Sequence, residues 1–238
     1  TGRLMPDRRW SYGLHQMIEI ATDLAPTPEA HTVAQITQQT YFRQYRILAG
    51  LTGTARECRS ELWAIYQILV RPISPHARTK LRGQGLRVFS LAFQKWAYVV
   101  QQAQLVAKKR SVLIGVNDVV EAQVLADVFT QSGCKVSVLD ALAEAQEADL
   151  VGVAGQQGAI TIATHLAGRG TDIALADETR TAGGLHVMIC SLMASRRLER
   201  QLYGRAGRQG DPGSYETVIS LEDRGLVDGA QSFWRRTM

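Results

Sequence analysis

Two arginines, Arg205 and Arg208, stand among glycines in the string Gln201-Leu202-Tyr203-Gly204-Arg205-Ala206-Gly207-Arg208-Gln209-Gly210-Asp211-Pro212-Gly213. A guanidinium keeps its charge at any working pH and forks onto two oxygens. Such a pair can therefore stabilise the charge that builds as a phosphoryl group is transferred. The glycines let backbone and ligand approach closely. Gln201 precedes Arg205 by one helical turn, and in a continuous helix the two would share a face. The plainer reading is a solvated basic helix, because Arg196, Arg197 and Arg200 belong to the same stretch. The glycine frame and Gln201 favour the phosphate-directed reading.

A second string, Gly168-Arg169-Gly170-Thr171-Asp172, follows the apolar run Ala159 to Ala163. It reads as a loop at the carboxyl end of a parallel strand, the side on which open α/β sheets bind ligands. There Arg169 could meet a phosphate, and Asp172 could accept from a ribose or orient Arg208. Alone, the string is equally a tight turn with a surface ion pair; the two loops together carry the inference. A third, Thr52-Gly53-Thr54, could link a nucleotide site to a neighbouring domain. By its residues alone it is better read as a turn and cap for a helix beginning at Ala55.

The partners such arginines need are not encoded here. No Gly-x-x-x-x-Gly-Lys-Ser/Thr string offers a cradle for β- and γ-phosphates, and no Asp-Glu-x-Asp cluster could hold Mg²⁺. The chain by itself is not expected to hydrolyse ATP. His15, His31, His76, His165 and His186 show no metal spacing, so no metal site is expected. His186 lies in an apolar run and reads as a satisfied core residue. Trp63, Tyr66, Phe93 and Trp96 read as core rather than as a base-stacking platform.

The elements that would position these residues are clearest in the C-terminal half. Strands are expected at Ser111 to Val116, Lys135 to Leu139, Ala159 to Ala163, Leu185 to Cys190 and Tyr215 to Ser220. Helices are expected at Ser90 to Lys109, Val119 to Gln131 (capped by Asn117 or Asp118 and closed by Gly133), Ala141 to Val151 and Ser195 to Ala206. Strands alternating with helices imply a parallel sheet with right-handed crossovers. Upstream, Ser11 to Ile20 and Val33 to Leu48 have helical spacing, and Pro26 and Pro28 mark a linker. Pro72, Pro75, Gly83 and Gly85 place a hinge at 71–89.

Composition sets only wide bounds. The 238 residues are 45% hydrophobic and 21% charged, as in ordinary globular proteins. A net charge of +5 favours acidic partners such as nucleotides, nucleic acid or anionic lipid without choosing among them. Cys58, Cys134 and Cys190 form neither a disulfide framework nor a zinc pattern and suit a reducing cytoplasm. No apolar run reaches the roughly 20 residues of a membrane span. The chain opens on Thr1 and reads as an excerpt or remnant of a longer protein.

Together these strings resemble the SecA family, the ATPases that drive preproteins through the bacterial Sec channel. The resemblance rests on Arg9-Trp10-Ser11-Tyr12-Gly13-Leu14-His15-Gln16, on Leu48-Ala49-Gly50-Leu51-Thr52-Gly53-Thr54-Ala55, and on Gly168 to Asp172. It also rests on Gly183-Gly184-Leu185-His186-Val187, on Gln201 to Gly213 and on Ser220-Leu221-Glu222-Asp223. Departures include His165, where the family commonly has Asn, and Met193-Ala194, where a His-Glu pair is typical. The resemblance implies an α/β, RecA-like second motor domain (90–223) after a hinge (71–89). Before the hinge would come the end of a preprotein-crosslinking region and a mainly helical remnant of the first motor domain (1–70). A divergent tail (224–238) would follow.

It further implies that Arg205 and Arg208 are arginine fingers, with Gly168, Arg169, Gly170, Thr171, Asp172 and Gln201 at the nucleotide and Thr52, Gly53 and Thr54 coupling its state to movement. ATP would be the ligand, with Mg²⁺ held by the missing half. A SecYEG-type channel, a preprotein and the first motor domain would be partners, anionic lipid a further one, and nucleic acid not. The place of work would be the cytoplasmic side of the inner membrane. Two alternatives stay open: a non-hydrolysing nucleotide-sensing module and a nucleic-acid helicase fragment.

Overall fold

Three five-residue runs are buried along their whole length, and none of them alternates apolar with polar in the manner of a half-exposed strand. Continuous burial of that kind marks strands covered on both faces. A computed structural model, which describes residues 9–10, 12–28, 34–139, 144–164, 172–193, 195–223 and 226, places them at the centre of one sheet. Its strands are β1 (Lys80–Phe89), β2 (Val112–Val116), β3 (Ser137–Leu139), β4 (Ile160–Thr164), β5 (Leu185–Ile189) and β6 (Pro212–Ser220). All pair in parallel, in the order β1-β6-β5-β2-β4-β3.

The helices are α1 (Leu14–Ala21), α2 (Gln38–Phe42), α3 (Arg59–Tyr66), α4 (Ala92–Ala107), α5 (Val119–Gln131), α6 (Glu144–Ala154), α7 (Asp177–Thr181) and α8 (Arg196–Tyr203). Steps from β1 to β2 and from β2 to β3 cross the sheet in one direction. Steps from β3 to β4 and from β5 to β6 run in the other. Right-handed crossovers therefore send α4 and α5 to one face and α6 and α8 to the opposite face. Two buried clusters record this. Val99, Ala103, Leu125 and Phe129 pack on Val112, Ile114, Ile162 and Met188. Val151, Ala154, Leu202 and Ala206 pack on Leu113, Ala163, Val187 and Ile189.

Local chemistry explains the boundaries. Asp118 caps α5 by accepting from the Glu121 N–H at 2.8 Å, and Ser195 caps α8 by accepting from the Leu198 N–H. Gly115 lets α8 lie against the sheet, since a Cβ there would fall 1.9 Å from Leu202 Cδ2. Any side chain at this position would push α8 outward.

Several expectations need correction. Residues 80–89, read as the end of a hinge, form the edge strand of the sheet. Their glycines serve the strand: Gly83 lies beneath the Tyr215 ring, and Gly85, with φ +95°, lies within the register shift against β6. The Val33 to Leu48 pattern yields only the five residues of α2, capped by Thr37. The helix expected to Ala206 stops at Tyr203, with Gly204 as its cap. Phe93 and Trp63, expected in the core, are 67% and 48% exposed. The short α7 was not anticipated at all.

Candidate functional site

Because α8 ends at Tyr203, Arg205 and Arg208 both lie in the turn that brings the chain back to β6. Gly207 (φ +68°) and Gln209 (φ +51°) hold left-handed conformations there, and a Cβ on Gly207 would meet Leu81 Cβ at 2.9 Å. Glycine is thus required between the two arginines on both conformational and steric grounds. Gln209, a non-glycine in this region, carries backbone strain of the kind that collects at ligand-binding turns.

The turn sits at the amino end of β6; a carboxyl-end position was expected only for the loop 168–172, most of which lies outside the described residues. The reason for the turn's position is mechanical: α8 runs antiparallel to the strands and returns the chain across the sheet. Asp172, the first described residue after β4, meets it. Arg208 Nη1 donates to Asp172 Oδ1 at 2.9 Å, and Gln209 Nε2 donates to Asp172 Oδ2 at 3.3 Å. Arg208 Nε donates to Gly204 O at 3.0 Å, which fixes the direction of the guanidinium. Asp211, next in the turn, accepts from Arg180 Nε at 2.9 Å, while Arg180 Nη1 reaches Asp177.

Arg180, Arg205, Arg208, Asp172 and Asp211 line a cavity of about 200 Å³. That is below the roughly 300–1,000 Å³ of sites that enclose a whole small ligand. It suits a phosphate-sized group presented from outside. Asp172 holds Arg208 as a phosphate oxygen would, so the donor set fits an anion. Among the described residues, no three His, Cys, Asp or Glu side chains group as a metal site.

Other expected residues fall out differently. Gly168, Arg169, Gly170 and Thr171 lie outside the described residues. Gln201 is half-buried on α8 and does not line the cavity, because the chain leaves helical geometry before Arg205. Thr52 Oγ1 accepts from the Thr54 N–H at 3.2 Å, closing a turn, and Thr54 is buried. What touches α8 is the turn just beyond it. Glu57 Oε1 accepts from Arg200 Nη1 at 2.5 Å, and Arg197 approaches Cys58 Sγ at 3.8 Å. The Arg200 hydrogen bond, outweighing burial, holds the Glu57 carboxyl below its usual range. Between this turn and the start of α8 opens a larger hollow of about 660 Å³, lined by Arg56, Arg196 and Arg197.

Glu57, Arg180 and Asp211 were missed by sequence reasoning. Asp211 was visible within its glycine-rich string. The pairing of Glu57 with Arg200, 143 positions apart, left no signal.

A second constellation looks catalytic and is not. Ser214 Oγ lies 2.8 Å from His186 Nδ1, and His186 Nε2 lies 3.2 Å from Glu216 Oε1. All three are buried, and Arg110 Nη2 already donates to Ser214 Oγ. Tyr98 O–H and Arg87 Nε occupy the other Glu216 oxygen. No substrate can enter, and His186 is a satisfied core residue as the sequence suggested. Burial raises the Glu216 pKa, but hydrogen bonds from His186 and Tyr98 outweigh it, and the net displacement is downward. A depressed carboxylate stabilises the fold above its unfolded value of 4.5 and loses that contribution as pH falls through the folded value. Thermal midpoints measured on acidification below pH 4.5 should fall more steeply for the parent than for Glu216→Gln.

Comparison with known proteins bears on the family and the fold. The SecA P-loop domain family matches residues 82–181 and 176–229, and the SecA DEAD-like domain matches residues 13–63. The protein translocase subunit SecA 2 of Magnetococcus marinus is 45% identical over 224 residues, covering 94% of this chain and 34% of that protein. SecA 2 of Nitrosospira multiformis is 42% identical over 239 residues, covering 100% and 36%. The chain thus spans about a third of the length of these curated relatives. Among solved structures, the DEAD-box protein SrmB of E. coli, bound to RraA, superposes with a TM-score of 0.50 at 18% identity. It covers 66% of this chain and 87% of the SrmB chain in that structure, and the likeness is one of fold. The arginine turn, the parallel RecA-like sheet that carries it and the two matched family domains lead to one assignment: the chain belongs to the SecA family.

Proposed function

We propose that this chain provides the second half of an ATP-driven protein-translocating motor, with Arg205 and Arg208 as arginine fingers. The observation that carries the reading is the Arg208–Asp172 pair beside Arg205 on a cavity of phosphate size. In the absence of nucleotide Asp172 keeps the Arg208 guanidinium aimed. When a phosphate arrives, Arg208 exchanges a carboxylate oxygen for a phosphate oxygen with little reorganisation. ATP would supply the phosphoryl group, and the first motor domain of the family would hold its remaining phosphates and Mg²⁺. Arg169 and the glycines around it would complete the site, and Gln201 would act from α8.

Movement would pass through the Thr52–Thr54 turn. The Glu57–Arg200 pair ties the residues after that turn to α8, which ends in the finger turn. A shift of one is thereby felt by the other. Residues 1–70 would then belong to the end of the crosslinking region and the first motor domain. By family, a SecYEG-type channel and a preprotein would be the partners, with anionic lipid a further one, at the cytoplasmic face of the inner membrane. No helix of the described residues is long and apolar enough to cross a membrane.

The test is a chimera in which this chain replaces the matching segment of Magnetococcus marinus SecA 2. Turnover of ATP by the chimera is expected. A chimera that folds and binds an ATP analogue yet never hydrolyses ATP would refute the motor reading.

A further inference from the structure

The charge of this chain is unevenly placed. Between residues 62 and 117 there are nine Lys or Arg and neither Asp nor Glu, while the rest carries 18 bases against 22 acids. The acid-free stretch contains β1, which pairs with β6 on one side and with no other strand among the described residues on the other. Arg78, Lys80 and Arg82, along this edge or just before it, are exposed and make no ion pair among the described residues. Leu86 and Val88 are 60% and 52% exposed on the face opposite α4.

We propose that the outer edge of β1 is a docking site for an extended acidic polypeptide segment, added to the sheet as a further strand. Ten residues of strand present about 33 Å of edge at ~3.3 Å per residue. The unpaired N–H and C=O groups along it form a ready template. Main-chain hydrogen bonds would supply affinity and alternate side chains specificity, as in other strand additions. Acidic residues of the segment would meet Lys80 and Arg82, and apolar ones would cover Leu86 and Val88.

Edge lysines and bulges are also the devices by which proteins keep their own copies from pairing edge to edge. Here that works in favour of selectivity. A second copy would bring the same positive charges opposite each other, whereas an acidic strand is drawn in by them. The register shift between Gly83 and Leu86 divides the edge into two short pairing segments, so an occupant needs a kink or a glycine at its middle.

The proposal is independent of the nucleotide cleft and is tested on the whole chain. A short peptide alternating Glu and Val, with a glycine at its middle, is titrated while amide hydrogen exchange is followed. Slowed exchange confined to residues 80–89 is expected, with binding that weakens as salt rises. Lys80→Glu with Arg82→Glu should raise Kd by about tenfold or more, and Lys108→Glu with Lys109→Glu should leave it unchanged. N-methylation of alternate amides in the peptide should abolish binding. Unchanged exchange in β1, undiminished binding of the N-methylated peptide, or equal losses from both charge reversals would each overturn it. So would preferential binding of phosphatidylglycerol vesicles or of poly(U) that survives reversal of Lys80 and Arg82.

Discussion

Replacing Arg208 by Ala in the SecA 2 chimera is expected to cut ATP turnover by about 10³- to 10⁵-fold, the range seen when an arginine finger is lost. Arg205→Ala should behave similarly. Affinity for ATP should change little in either, because on the proposed reading the remaining phosphate contacts would belong to the first motor domain. A stability defect cannot mimic this result. The Arg208–Asp172 pair is 39% and 49% exposed, and a pair so open to water contributes only about 0–1 kcal/mol. Gln209 also keeps one bond to Asp172 when Arg208 is gone. The measurement is steady-state hydrolysis beside equilibrium binding of a non-hydrolysable analogue. Parent-rate turnover in both variants would sink the finger assignment, and a parallel loss of binding would make the arginines ligands rather than stabilisers of developing charge.

The parts of this fold legible in sequence were those with local causes. Val119–Gln131 was bounded correctly because Asp118 and Gly133 punctuate it. The buried runs at Val112, Ile160 and Leu185 announced themselves by β-branched density. β1 was misread because its cues conflict: Gly83 and Gly85 look like breakers, and their reason for being glycine, the Tyr215 ring and the register shift, lies on another strand. The site divides the same way. Arg205, Arg208 and Asp172 stand in strings with their own punctuation, and the bond between Arg208 and Asp172 matched the proposed orientation. Gln201 seemed to share a face with Arg205 only on the assumption that the helix continued past Gly204. Glu57 and Arg180 act through partners far along the chain, which no periodicity reports.

The same distinction applies to the ends of the sheet. The loop 168–172 was expected at the carboxyl end of its strand, as in open α/β sheets, and most of it lies outside the described residues. The arginine turn, which Asp172 meets, lies where α8 delivers the chain to β6. A domain that only contributes charge to a neighbour's ligand need not use its own carboxyl-end crevice. On the proposed finger reading, the small cavity and the amino-end placement are two aspects of a site completed from outside.

Lys95→Met should destabilise the chain by about 3–5 kcal/mol, the usual cost of removing one partner from a buried ion pair. Lys95 is 1% exposed; its ammonium donates to Asp223 Oδ1 at 2.6 Å and to Cys190 O at 3.0 Å, with Glu121 Oε1 at 3.7 Å. The lysine thereby joins α4 to the chain after β5 and to the turn after β6. Glu121 carries the link further, accepting from Ser191 Oγ and from the Asn117 N–H. Met fills most of the lysine's volume, so cavity formation is a minor part of the loss, and the main cost is a carboxylate left without its counter-charge. A double change separates the two contributions: in Lys95→Met with Asp223→Asn the nearer stranded charge is gone, and only the more distant Glu121 carboxylate remains. The side-chain amide oxygen introduced by Asp223→Asn can still accept from the Ser220 N–H that Asp223 Oδ2 now binds at 2.9 Å. Urea denaturation of the whole chain should show the double variant recovering a substantial part of the loss. Against the roughly 5–15 kcal/mol that hold typical domains folded, such a difference is easily resolved. If Lys95→Met unfolds within about 1 kcal/mol of the parent, the desolvation of Lys95 already cancels its attraction for Asp223, and α4 is held by its apolar face alone.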